Sequence, residues 1–279
     1  MSPSKETPPI TKANLDIYLK DLAKEYRRLT GKEMPAEIIL TGGAAVLAEY
    51  GFRELTYDVD AIIVAASTMK DAVSRARDKH NLPHGWLNTD FKQTASYSDK
   101  LREVSVYYKT FSNILTIRTI TAEYLLAMKL MSGRRYKNDL SDIVGILREH
   151  QKKNDPISRE AVETAIISLY GKGATIPETS KQLLNAVFSV GDYETLYRRV
   201  RDSETEARDL LLAFDSKYPD QLKSENIDSV LDSAKMNHRT GQKKTLINRL
   251  EEKKRIVAAE NRFADSPNPS RRKGLPEIE

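Results

Sequence analysis

The segment Ile38-Ile39-Leu40-Thr41-Gly42-Gly43, followed by Tyr57-Asp58-Val59-Asp60-Ala61-Ile62-Ile63-Val64, constrains the fold more than any other part of the chain. An apolar run ending in a glycine pair is a strand delivering its end to a tight turn. Ala44 to Tyr50 then start a helix whose first amides point at whatever lies over the glycines. Such a turn suits phosphate. Side chains alternate along a strand, so Asp58 and Asp60 emerge on one face while Val59 and Ala61 emerge on the other. Two carboxylates so close on a rigid strand suit a hard divalent cation, because their like charges are costly unless an ion neutralises them. Either feature alone is common in α/β turns and solvated strand edges. Here the acids interrupt an apolar run, where an unpaired carboxylate pays a desolvation cost on the order of several kcal/mol.

The surrounding pattern predicts a mixed sheet with helices. Leu15, Leu19, Leu22 and Tyr26 recur at helical spacing, giving a first helix over 15–29 that Gly31 stops. A strand at 37–41, a short helix at 43–50 and the acidic strand at 57–64 follow, and then a helix capped by Thr68 and running to Lys79. After a loop around Trp86, residues 102–108 alternate as a strand, with 114–118 as its hairpin partner. From Thr121 onward the pattern is helical, broken near Gly133, Pro156, Gly171 and Pro219.

Lys129 is the second informative residue. On a helix from Thr121 to Met131 it shares one arc with Ala122, Leu125 and Leu126, in the middle of an apolar stripe. Two readings stay open: a buried stem with the head reaching water, or an ammonium aimed into a cleft, meeting a nucleotide phosphate or the carboxylate of Asp139 or Asp142. Those two acids sit in the first turn of the next helix, where the helix dipole favours negative charge in any case.

The glycine pair, the short helix and the hydrophobic-Asp-hydrophobic-Asp strand resemble the signature of the polymerase β-like nucleotidyltransferase superfamily. Within it, the chain is most similar to the bacterial proteins grouped around the AbiEii-type toxins of type IV toxin-antitoxin systems. Leu82-Pro83-His84-Gly85-Trp86-Leu87-Asn88-Thr89-Asp90 and the run from Tyr124 through Lys129, Arg134 and Arg135 to Asp139 and Asp142 carry that narrower likeness, over about residues 35 to 150. The resemblance implies an α+β fold, a nucleotidyltransferase-like mixed sheet flanked by helices and followed by a helical domain. It implies transfer of NMP from an NTP to an acceptor hydroxyl, at a tRNA 3′ end or on a protein. Asp58 and Asp60 would hold Mg²⁺, or Mn²⁺ in its place, and Lys129 and Asp139 would belong to the active-site motif. Thr41, Gly42, Gly43, Lys129 and Arg134 would bind the nucleotide, and a cognate antitoxin would be a partner. A third metal carboxylate is expected on a neighbouring strand. Glu103, on a predicted strand with Ser105 and Tyr107, is favoured slightly over Asp90 in the tryptophan loop.

Composition narrows the alternatives. The chain has no cysteine, which excludes a disulfide scaffold, a thiolate zinc site and a cysteine nucleophile. Its four histidines show no metal-ligand spacing, because Pro83 breaks the helix that His80 and His84 would need. The polar, proline-rich Met1 to Pro9 reads as neither signal peptide nor anchor, and no apolar stretch approaches the roughly 18 residues of a membrane span. A cytoplasmic protein without membrane contact is expected. A net charge of +5 permits nucleic acid as a partner. Residues 1–9 and 264–279 are expected to be disordered, 10–120 to form the nucleotidyltransferase-like domain and 121–263 the helical domain. Its end, 239–263, reads as an exposed charged helix, a solvated face or partner surface rather than a nucleic-acid arm. Two non-enzymatic readings remain: a degenerate relative that binds nucleotide or RNA without chemistry, and a protein-interaction module.

Overall fold

The computed structural model describes residues 8–189, 191–223 and 225–237. The charged helix expected at 239–263 and the tail expected at 264–279 lie outside the described residues, as do residues 1–7.

A short strand, β1 (Ile10–Thr11), leads into α1 (Lys12–Thr30). Thr11 and Asn14 satisfy each other's backbone N–H reciprocally at the start of α1, and Gly31 ends it. The predicted stripe of Leu15, Leu19, Leu22 and Tyr26 is buried. Next come β2 (Ala36–Leu40), α2 (Gly42–Glu49), β3 (Leu55–Thr56), β4 (Val59–Val64) and α3 (Met69–His80). Thr68 precedes α3 without capping it. Its backbone is already helical and its hydroxyl is buried without a hydrogen-bond partner. After β5 (Leu87–Asn88), 3-10 turns over Asp90–Gln93 and Asp99–Arg102 lead to the hairpin β6 (Ser105–Phe111) and β7 (Leu115–Ile120). The helices α4 (Ala122–Ser132), α5 (Asp139–Lys152), α6 (Arg159–Tyr170), α7 (Glu178–Ser189) and α8 (Tyr193–Lys217) complete the element order.

Five strands form one mixed sheet in the order β5-β4-β2-β7-β6. At its centre β2 runs antiparallel to β4, with Leu40 opposite Ala61, and parallel to β7. β5 lies parallel to β4, in a register that sets Leu87 opposite Val59 and Asn88 opposite Asp60. The acidic strand therefore has the glycine turn on one side and the tryptophan loop on the other. Trp86 anchors that loop: it is buried, and its indole N–H donates to the Val73 carbonyl at 3.3 Å. The fold is the nucleotidyltransferase-like α+β architecture expected, with helical C-terminal segments. Described residues through Arg208 make one compact unit, in which the sheet and α1 to α7 share a core, and those from Asp209 onward make a second. Among the described residues no helix is long and apolar enough to cross a membrane.

Asp21 ties α1 to α3. Its buried carboxylate is 2.8 Å from Lys79 Nζ, 2.9 Å from His80 Nε2 and 3.0 Å from Lys24 Nζ. Burial pushes the carboxyl pKa up, but Lys79, Lys24 and His80 outweigh it and hold the group well below its ordinary 3.8. An acid with a depressed pKa stabilises the fold above that ordinary value, and the contribution is lost as pH falls through the folded pKa. Asp21→Asn is therefore expected to lower the urea midpoint at pH 7 and to converge on the parent under strongly acidic conditions. Because both lysines are about half exposed, the cost at pH 7 is held to roughly 1–2 kcal/mol. Equal midpoints at pH 7 would show that the cluster adds nothing to stability.

Candidate active site

The glycine turn is pinned to the acidic strand through Asp60 itself. Thr41, fully buried, donates to the Asp60 carbonyl twice, from its N–H at 2.9 Å and from Oγ1 at 3.0 Å. Its hydroxyl proton is thus spent on the backbone, and its oxygen accepts from no amide of α2. The first amides of α2 lack intrahelical acceptors and are left to a ligand or solvent. Gly42 has φ +53, and a Cβ there would lie 3.3 Å from Asp60 Oδ2, so only glycine lets the backbone come this close to the carboxylate. Gly43 serves another contact: its Cβ would lie 2.7 Å from the Arg53 guanidinium. The second glycine therefore makes room for a side chain buried behind the turn.

Asp58 and Asp60 face a common open cleft of about 180 Å³, whose wall also includes Thr41 and Gly42. Val59 and Ala61 point into the core, as strand alternation requires. Asp58 is exposed and lies just before β4, whereas Asp60 is half-buried within it. Burial and the neighbouring Asp58 both push the Asp60 pKa up, opposed by Lys137, Arg134 and Lys129. An ionised Asp60 is therefore short of positive charge, a need that an incoming cation would meet.

Across the cleft, Lys129 does not reach water. Its side chain is 6% exposed, and Nζ lies 2.8 Å from both Asp139 Oδ1 and Asp142 Oδ2. Arg134 Nε donates to Asp139 Oδ2 at 2.7 Å, and Arg53 donates to Asp142. Burial alone would lower the Lys129 pKa, but Asp139 and Asp142 raise it above the ordinary lysine value. Burial likewise pushes Asp139 up, while Lys129 and Arg134 hold it well below the carboxylate range. Lys129, Arg134 and Asp139 thus stay ionised around neutrality. Three cations meet two acids, so the network as a whole carries one net positive charge, and of its members Lys129, Arg134 and Asp139 line the cleft.

The third wall comes from the tryptophan loop. The pairing of Asp60 with Asn88 carries Asn88 and Asp90 to the cleft, with Thr94 and Ser96 of the following turn. Of the two candidates for a third carboxylate, Asp90 is in the cleft and Glu103 is not among the residues that line it. Glu103 is also not on a strand. It is exposed at the end of the Asp99–Arg102 turn, and β6 begins only at Ser105. That turn is held by distant contacts: Ser98 Oγ donates to the Leu169 carbonyl at 2.8 Å, and Lys100 Nζ to the Ser168 carbonyl at 2.6 Å. Local alternation carries no trace of these. Lys137 in the cleft and Arg53 behind it are further charged groups that sequence reasoning did not assign to the site.

Strand order, glycine turn and paired acids in one cleft are those expected of a nucleotidyltransferase-like fold. In agreement, residues 18–150 match a family model described as "Nucleotidyltransferase of unknown function (DUF6036)". No curated protein and no solved structure matches the chain.

Proposed function

We propose that the cleft binds an NTP with Mg²⁺ or Mn²⁺ and transfers its nucleotidyl group to an acceptor hydroxyl. The acceptor oxygen bonds to the α-phosphorus as the bond to pyrophosphate breaks, and the acceptor's proton is released to solvent. The observation that supports this best is the convergence of Asp58, Asp60, the Thr41–Gly42 turn and the buried Lys129–Asp139 pair on one cleft.

The donor set fits such an ion. Among the described residues no group of three or more His, Cys, Asp or Glu is arranged to hold a metal. Mg²⁺, however, is ordinarily held by one or two carboxylates together with substrate phosphates, so Asp58 and Asp60 suffice when the NTP is present. Bound there, the ion supplies Lewis-acid neutralisation of the phosphates and of charge on the leaving oxygen. The chain's own groups do the rest. Gly42, Gly43 and the start of α2 offer amides to the β and γ phosphates. Arg134 and Lys137 add charge at the opposite wall. Two of the three Lys129 donors are taken by carboxylates, which leaves the third for a phosphate oxygen.

We take the acceptor to be a tRNA 3′ end or a protein hydroxyl, and the chain to act in the cytoplasm as an AbiEii-like toxin restrained by a cognate antitoxin. This finer reading rests on the likeness of residues 82–90 and 124–142 to that group. A second reading, nucleotide binding without transfer, is favoured by the absence of a three-acid cluster among the described residues. Incubation with each labelled NTP, total tRNA and cell protein, with Mg²⁺ or with EDTA, separates them. Metal-dependent label in the RNA or protein fraction supports transfer and names the acceptor. Binding without label supports the second reading, and no binding rejects both.

A further inference from the structure

The family match ends at His150, inside α5, yet the start of α5 is finished by a residue well beyond it. Glu204, on α8, accepts hydrogen bonds from the Leu140 N–H at 2.8 Å and the Ser141 N–H at 3.2 Å. These are first-turn donors of α5, which a local side chain at Asn138 would ordinarily satisfy. Asn138 makes no such bond. Its Oδ1 accepts instead from Arg208 at 2.8 Å, and Arg208 Nε also donates to the Tyr136 carbonyl at 3.4 Å. One turn of α8 therefore holds the 136–141 segment from both sides, by an acid on its amides and a base on its oxygens. The same segment presents Asp139, which binds Lys129 and Arg134, and Lys137, which lines the cleft.

Glu204 is a costly way to cap a helix. It is 2% exposed, and its Oε2 is buried without a hydrogen-bond partner. A serine or aspartate at position 138 would cap α5 without burying a second carboxyl beside Asp142. Burial foremost, with Asp142 adding to it, pushes the Glu204 pKa up to about 8 against the Ser141 and Leu140 hydrogen bonds. At neutral pH the group is mostly protonated, so it caps the helix without adding charge near the Lys129 network.

We propose that Glu204 is a positioning residue: from α8 it fixes the start of α5, and so the placement of Asp139 and Lys137 against bound nucleotide. This role rests on the nucleotide reading of the cleft given above. It makes α8 part of the working site although it lies outside the family-matched segment.

The test uses the full chain with Glu204→Leu, Glu204→Gln and Arg208→Met. It measures Mg²⁺-NTP binding by titration, KM and kcat for transfer, and hydrogen exchange at the Leu140 and Ser141 amides. Glu204→Leu removes the acceptor and is expected to expose both amides to exchange and to weaken NTP binding at least tenfold, raising KM more than it lowers kcat. Glu204→Gln keeps an acceptor oxygen in the same place and should restore protection and binding to within about twofold of the parent. If Glu204→Leu does not fold, Arg208→Met loosens the same segment from its exposed side and is expected to raise KM for NTP while the Leu140 and Ser141 amides stay protected by Glu204; parental KM in that variant would overturn the role of α8 in placing the segment. Loss of amide protection with parental NTP binding, or failure of Gln to rescue, overturns the positioning role alone. Absence of NTP binding by the parental chain overturns the reading of the cleft, while amide exchange still reports whether Glu204 is the cap.

Discussion

Asp60→Asn is expected to lower metal-dependent transfer from NTP by about 10³-fold, because the several kcal/mol a bound ion contributes to charge neutralisation depends on anionic oxygens to hold it. Asn keeps the shape and an acceptor oxygen but carries no charge. The fold should not suffer. Asp60 is half-buried beside Asp58, and both burial and that neighbour raise its pKa. An acid whose folded pKa lies above its unfolded value costs stability once pH rises above the unfolded value, so deleting the charge relieves a penalty at pH 7. The thermal midpoint is expected to match or slightly exceed that of the parent. Activity and stability thus move in opposite directions, the signature of a group retained for function. Asp58→Asn should also lose activity, with less effect on the midpoint because Asp58 is exposed. Parental transfer rates in both variants would sink the assignment, as would loss of activity that tracks loss of folded protein.

How far the sequence announces this arrangement depends on whether the signal is local. The strand, glycine turn and helix from Ile38 onward can be read directly, because apolar runs and glycines act within a few residues. So can the alternation that buries Val59 and Ala61 and turns the acids outward. Lys129 is conspicuous because a lysine inside an apolar stripe needs partners, and Asp139 and Asp142 are near enough in sequence to suggest themselves.

The misses arise from non-local contacts. β5 is two residues long and exists because Trp86 anchors its loop beside β4. That parallel pairing, which brings Asn88 and Asp90 to the cleft, has no periodicity to betray it. Glu103 looked like a strand residue because Val104 to Tyr107 alternate after it, yet contacts with the end of α6 hold its segment in a turn. Arg53 and Glu204 gave no signal. Each is a charged residue with no local pattern to single it out, and only the folded chain shows that one meets Asp142 and the other caps α5.

The buried network makes the opposite prediction from Asp60. Lys129→Met should unfold the protein more readily, because removing one partner from a buried ion cluster leaves charge uncompensated, at a typical cost of about 3–5 kcal/mol. The lower end applies here, since Asp139 keeps Arg134 and Asp142 keeps Arg53. For a unit of this size about 3 kcal/mol corresponds to a fall in the thermal midpoint of roughly 6–12 °C. The loss has a functional side too. With Lys129 present the network carries one net positive charge, and without it two cations face two acids and the cleft wall loses its Lys129 ammonium. NTP affinity should therefore fall along with stability, whereas Asp142→Asn should lower stability without removing positive charge. Comparing the two variants below their melting points separates the roles. If Lys129→Met melts within about 2 °C of the parent, the ammonium does not hold α4 to α5. If it binds NTP as tightly as Asp142→Asn does, the lysine serves the fold alone, and the phosphates are met by Arg134, Lys137 and the amides of α2.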